Sequence, residues 1–185
     1  MKERLGKEEK QKLLRMSEIS LMLDDYDDIF SDFDPRPYSE RSLSVDFLDE
    51  AKRASRDKDD IGIELSFLIP KYKRNTAEEA LIKKRLHEHF RKNHHRLEKE
   101  KKEVVNKGIL FTVMGIIVMF VASLILFKES GKNLLISFLI ILLEPAGWFL
   151  FWEGLGQVIF EAKKKKPELE FYEKMLKCEI HFLPY

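Results

Sequence analysis

Two apolar runs, Gly108 to Phe127 and Leu134 to Phe151, are separated only by Lys128 to Asn133. The first is twenty residues without a charge. At about 1.5 Å rise per residue it matches the roughly 30 Å hydrocarbon core of a bilayer. The pair is expected to form a transmembrane hairpin over 108–160, with spans at 108–127 and 134–154. The second span carries Glu144 near its middle. No sequence signature of a catalytic or cofactor site accompanies the hairpin, so class and location are better constrained than activity.

The flanking charges orient the hairpin. Of 185 residues, 33 are basic and 32 acidic, for a net charge of +1. That balance hides a polarity: Met1 to Asp60 holds 12 Lys/Arg against 17 Asp/Glu, whereas Lys71 to Lys107 holds 13 against 6. The basic segment directly precedes the first span, and Lys163 to Lys166 follow the second, while the loop between the spans has only Lys128, Glu129 and Lys132. Lys and Arg gather on the cytoplasmic side and face anionic lipid. The expected topology is therefore a multi-pass protein of the cell membrane with both termini in the cytosol, in contact with the lipid bilayer and not with nucleic acid. A single cysteine, Cys178, allows no intrachain disulfide, and the charged N-terminus lacks the apolar core of a cleavable signal peptide.

Outside the hairpin the pattern reads as one small α+β domain split around it: residues 1–107 ending in a stalk helix, and 161–185 forming a tail helix and strand that pack back. From Lys7 to Phe30, apolar residues every three or four positions predict an amphipathic helix. Asp34-Pro35-Arg36-Pro37 breaks helix over 31–41, and Ser44 then precedes a short helix that fades by Asp57. Alternation over Ile61 to Ile69 predicts a strand stopped by Pro70, and Cys178, Ile180 and Phe182 predict a second strand that pairs with it. Two strands alone are marginal, so helices, including the tail helix Pro167 to Lys177, or strands of a neighbouring subunit are expected to complete the layer. Thr76 is read as the cap of a long helix that nothing breaks before the first span.

Glu144 lies ten residues into the second span, about 15 Å deep, and neither span offers Arg, Lys or His at that depth. An ionised carboxylate there is costly. The acid is expected to be neutral, hydrogen-bonded across a subunit interface, or opened to a water-filled path. Pro145, with Gly147 beyond it, frees a backbone carbonyl and predicts a kink, so structural support of that kink and ion handling are both open. Trp148, Trp152 and Glu153 fit an interfacial aromatic belt. Glu153 is nine residues from Glu144, which puts the two on opposite faces of an unbroken helix.

Six aspartates fall between Asp24 and Asp34. They lack the glycine turn and distal glutamate of a calcium loop, so surface charge and helix capping are expected, with Arg36 and Arg41 pairing with some of them. His87, His89, His94 and His95 lack the three- or four-residue spacing that one ion needs on a helix and read as a solvated cationic patch. Cys178 reads as a core residue. No metal or cofactor is expected.

The stretch Ser31-Asp-Phe-Asp-Pro-Arg-Pro-Tyr-Ser-Glu-Arg41, followed by Asp46-Phe47-Leu48, resembles an uncharacterised family of small bacterial and archaeal two-span membrane proteins. His87-Glu-His-Phe90, Gly147-Trp148 and Trp152-Glu153 are similar too. In the family pattern Trp-Glu is followed by proline and a second acidic residue, where Gly154 and Gly156 stand here. The resemblance implies a cytosolic α+β part split around a two-span hairpin and no known reaction. The leading expectation is a non-enzymatic homo-oligomer, acting as a membrane scaffold or an ion-conducting assembly, with Glu144, Pro145 and Glu153 as intramembrane candidates. The alternative is a membrane-anchored sensor or adaptor that docks a cytosolic protein partner through the 24–41 loop, using Asp32, Asp34, Arg36 and Arg41.

Overall fold

A computed structural model describes residues 19–56, 64–128 and 133–185. Three parallel strands, β1 (Ile19–Met22), β2 (Glu64–Ile69) and β3 (Glu179–Pro184), form a sheet in the order β1-β2-β3. The pairing is in register at Ile19↔Leu65 and Phe67↔Phe182. The helices are α1 (Val45–Ser55), α2 (Thr76–Lys128), α3 (Leu134–Gly156) and α4 (Lys166–Lys177). The chain divides into two compact units, Met1–His95 with Leu169–Tyr185 and Arg96–Glu168.

In the first unit every residue of β2 from Leu65 to Ile69 is buried, Ser66 and Leu68 included. A parallel sheet needs crossover connections that cover both faces, so the one-sided alternation expected for this strand gives way to continuous burial. The expected pairing of the two strands is present. Ile61 to Ile63 of the expected strand lie outside the described residues.

The third strand corrects the amphipathic helix expected over Lys7 to Phe30, whose part before residue 19 is outside the described residues. Ile19–Met22 pairs with β2 instead, and a 3-10 turn, Tyr26–Ile29, follows with Asp25 and Asp28 in a reciprocal capping box. Ile19, Leu23, Tyr26 and Phe30 are all buried. The apolar spacing reported burial correctly, but the open edge of β2 and the Asp25 cap decided the backbone. The sheet thus takes its third strand from its own chain.

Phe67 lies at the centre of the core, with ring centroids 5.9 Å from Phe47 and 5.1 Å from Phe182. Thr76 is the first helical residue of α2 and not its cap, because the Asn75 side chain accepts from the Ala77 N–H at 3.1 Å. Behind it, Glu79 is only 6% exposed and accepts from Arg74 Nε and Nη2 at 2.8 and 2.9 Å and from the Tyr26 hydroxyl at 3.0 Å. The Asn75 N–H donates to the same hydroxyl oxygen at 2.9 Å. This network ties the start of α2 to the turn after β1. Arg74 holds the Glu79 carboxyl below its ordinary range.

Burial pushes the Cys178 thiol up to about 11 and, with Asp27 beside it, the Tyr38 phenol up to about 12. Both groups keep their protons in the folded chain at pH values where the unfolded chain releases them. Their contribution to stability is full below about pH 9 and is lost as pH rises toward 12. Denaturant midpoints taken between pH 8 and 11.5 are expected to fall on the alkaline side, and Cys178 should react with a thiol reagent only as fast as the unit opens.

Candidate functional site

α2 spans 53 residues without a break. The helical run that begins with α3 continues through a π-helical turn, Gln157–Glu161, to Lys164, making 31 residues. Both are long and apolar enough to cross a membrane. Their large side chains, among them Ile109, Leu110, Ile117, Phe120 and Phe138, are exposed. A core helix of a water-soluble protein would hide them.

The contact between these helices is made by the smallest residues. From Gly108 to Ala162, the buried described residues are Gly108, Gly115, Ala122, Gly147, Gly154 and Ala162. A Cβ placed on Gly115 would lie 2.5 Å from the Phe151 nitrogen and 2.7 Å from the Gly147 carbonyl oxygen. One on Gly147 would meet Met119 Cγ at 2.5 Å, and one on Gly154 would collide with the Thr112 backbone and hydroxyl. Backbone approach of this kind is what holds apolar helices together in surroundings that supply no hydrophobic effect between them.

The small residues recur every seven positions, at 108, 115 and 122 and again at 147 and 154. A further step of seven from Gly154 would bring Glu161 into the contact. The π turn inserts one extra residue there, so Ala162 is buried and Glu161 is exposed, accepting from Lys164 at 2.5 Å. Just beyond, Lys165 Nζ donates to Glu100 Oε2 at 2.6 Å, and this lowers the Glu100 carboxyl from its ordinary range. The repeat was legible in the spacing of the glycines, but the sequence reading gave Gly147 to a kink and missed it.

With the inner face filled, Glu144 lies on the outer surface of the pair and is exposed, as are Pro145 and Glu153. α3 continues through Pro145, which leaves the Ile141 carbonyl without its usual i+4 donor. Glu153 accepts from Gln157 Nε2 at 3.0 Å. At 100° per residue Glu144 and Glu153 are half a turn apart, so the structure does not bring them together. The Trp148 and Trp152 rings stack, with centroids 6.3 Å apart and planes inclined by 19°.

The second group of candidates does come together. The loop from Ser31 to Ser42 is closed at its base by the Phe30–Leu43 bridge and the Ser31 N–H to Ser42 carbonyl bond of 2.9 Å. Asp34 accepts from Arg36 Nε and Nη2 at 2.9 and 2.6 Å and from the Ser42 N–H at 2.7 Å. These donors, Arg36 first, hold its carboxyl well below the usual range. Arg41 donates to Asp27 at 2.6 Å and to the Ser31 carbonyl at 3.1 Å, and Tyr38 stacks on Phe30 at 5.0 Å. The expected pairing of Arg36 and Arg41 with aspartates is present, so their charges serve the loop itself. Asp32 is exposed at the turn beside Phe33, whose side chain is 97% exposed. Among the described residues no group of three or more His, Cys, Asp or Glu side chains is placed to hold a metal.

No protein-family model, curated protein or solved structure matches the chain.

Proposed function

We propose that the chain is an integral protein of the cell membrane, with both termini cytosolic, that self-associates through the outer face of α3 and serves as a scaffold for a membrane assembly. The observation that carries this reading is the position of Glu144. Its carboxyl points away from a helix pair whose inner face is already filled, at a depth where hydrocarbon would otherwise surround it. A polar group in that position calls for hydrogen-bond partners, and beyond the Ile141 carbonyl freed by Pro145 a second copy would supply them. A ring of four or more copies would line a central path with the second span and extend the scaffold to ion conduction. No catalytic role is assigned to any residue in this reading.

Native mass spectrometry of the full chain in lipid nanodiscs is expected to show more than one copy per particle, and a monomer would overturn the proposal. Glu144→Gln, which keeps a donor and an acceptor, should leave the assembly intact. Glu144→Leu removes an intramembrane hydrogen bond of about 1 kcal/mol and should weaken association about fivefold.

The exposed Phe33 at the tip of a braced turn favours a second reading, in which the cytosolic loop docks a partner protein. Loss of partner capture in Phe33→Ala or Asp32→Ala, with self-association unchanged, is the result that would establish it.

A further inference from the structure

The self-association reading leaves open which atoms meet Glu144, and the register of the helix pair narrows the choice. We infer that two copies meet along the side of α3 that carries Glu144 and Trp148, with the two Glu144 carboxyls hydrogen-bonded to each other. This inference rests on the proposed self-association.

Copies inserted with the same topology are related by an axis along the bilayer normal, so each residue meets its counterpart at equal depth. Gly108 packs on Gly154 and Gly115 on Gly147, which sets Glu144 level with the turn of α2 around Val118 and Met119. That turn has no side-chain nitrogen or oxygen, and α2 has no charged residue from Gly108 to Phe127. Along α3 the nearest polar side chains are Trp148, four residues on, and Ser137, seven residues back. The side-chain acceptor that lies level with Glu144 is therefore Glu144 of the second copy.

A neutral carboxylic acid is self-complementary, its O–H donating and its carbonyl oxygen accepting, so a two-fold contact satisfies both groups with no third residue. Trp148 lies about 40° around the helix from Glu144 and Ile141 about 60°, on the same side. Both are exposed, as the flank of such a contact must be before it forms. Glu153, on the opposite side, already has Gln157 as a partner and makes no comparable demand.

The test uses variants of the full chain in liposomes, each adding one cysteine to the buried native Cys178, oxidised and run as covalent dimers, with the wild type as background. Ile141→Cys and Trp148→Cys report the Glu144 side, while Leu142→Cys and Phe149→Cys report the far side. Exposure does not favour either pair, being 68% and 53% on the first side and 56% and 68% on the second. At least fivefold more dimer is expected from the first pair, and adding Glu144→Leu to Ile141→Cys should remove the excess. Equal or greater cross-linking from the far side, in particles that native mass shows to be oligomeric, would overturn this inference and leave self-association standing. Monomeric particles would overturn both.

Discussion

Gly115→Leu is expected to force the two apolar helices apart and to lower the apparent unfolding midpoint in nanodiscs by about 10 °C, while Gly156→Leu shifts it by no more than about 2 °C. At Gly115 the atoms in the way are the backbone nitrogen and Cα of Phe151 and the carbonyl of Gly147, which no rotamer change can move. Overpacking against backbone costs about 3 kcal/mol or more, and in a chain of this size each kcal/mol is worth roughly 2–4 °C. Gly156 is the internal control, because a Cβ there meets nothing within 4 Å. Gly115→Ala should fall between the two. Equal midpoints for Gly115→Leu and Gly156→Leu would mean that the small-residue contact does not hold the pair together.

Glu79→Ala is the second large effect, and it falls on the other unit. The substitution leaves the Arg74 guanidinium without its bidentate partner and the buried Tyr26 hydroxyl without an acceptor. A loss of about 2–4 kcal/mol is expected, at the lower end of what a fully buried pair would cost because Arg74 is 27% exposed. Tyr26→Phe removes two hydrogen bonds, the one to Glu79 and the one from the Asn75 N–H, and should cost about 2 kcal/mol. The pH dependence has a definite sign. The Glu79 carboxyl is held below its ordinary value of 4.5, so its contribution is full above that value and fades as pH falls through the lower folded value. Urea midpoints between pH 7 and 3 should therefore drop less steeply in Glu79→Ala than in the wild type. Parallel curves would assign the acid sensitivity to other groups, with Asp25, lowered by Lys73, as the next candidate.

Local chemistry was legible at the breaks in the chain, though the cap of α2 was placed one residue late, at Thr76 instead of Asn75. Pro70 ended β2, the Asp-Pro-Arg-Pro stretch made a loop, and uninterrupted helix formers carried α2 from Thr76 into the apolar run. The segment around Ile19 was misread because a strand of four residues followed by a 3-10 turn buries the same three- and four-residue spacing as a helix. Its state was decided by β2, more than forty residues away. Glu144 stood out by charge alone, but which way it faced depended on where the glycines fell, since they fix the side of α3 that meets α2. The Tyr26–Glu79–Arg74 network had no sequence signal, because its members are brought together only when β1 is in place.

The sheet sets a rule of parity for the proposed membrane insertion. β2 and β3 are neighbours in register, yet the chain between them contains both apolar helices. If both helices cross a bilayer as proposed, two crossings return the chain to the side it left, whereas a single crossing would strand β3 across the bilayer from its partner and leave Phe67 facing no Phe182. In the proposed topology, completion of the small three-stranded core would report that the hairpin has gone in and come back. A half-inserted chain would display an unpaired β2 edge, the kind of exposed strand that quality-control proteases and chaperones recognise.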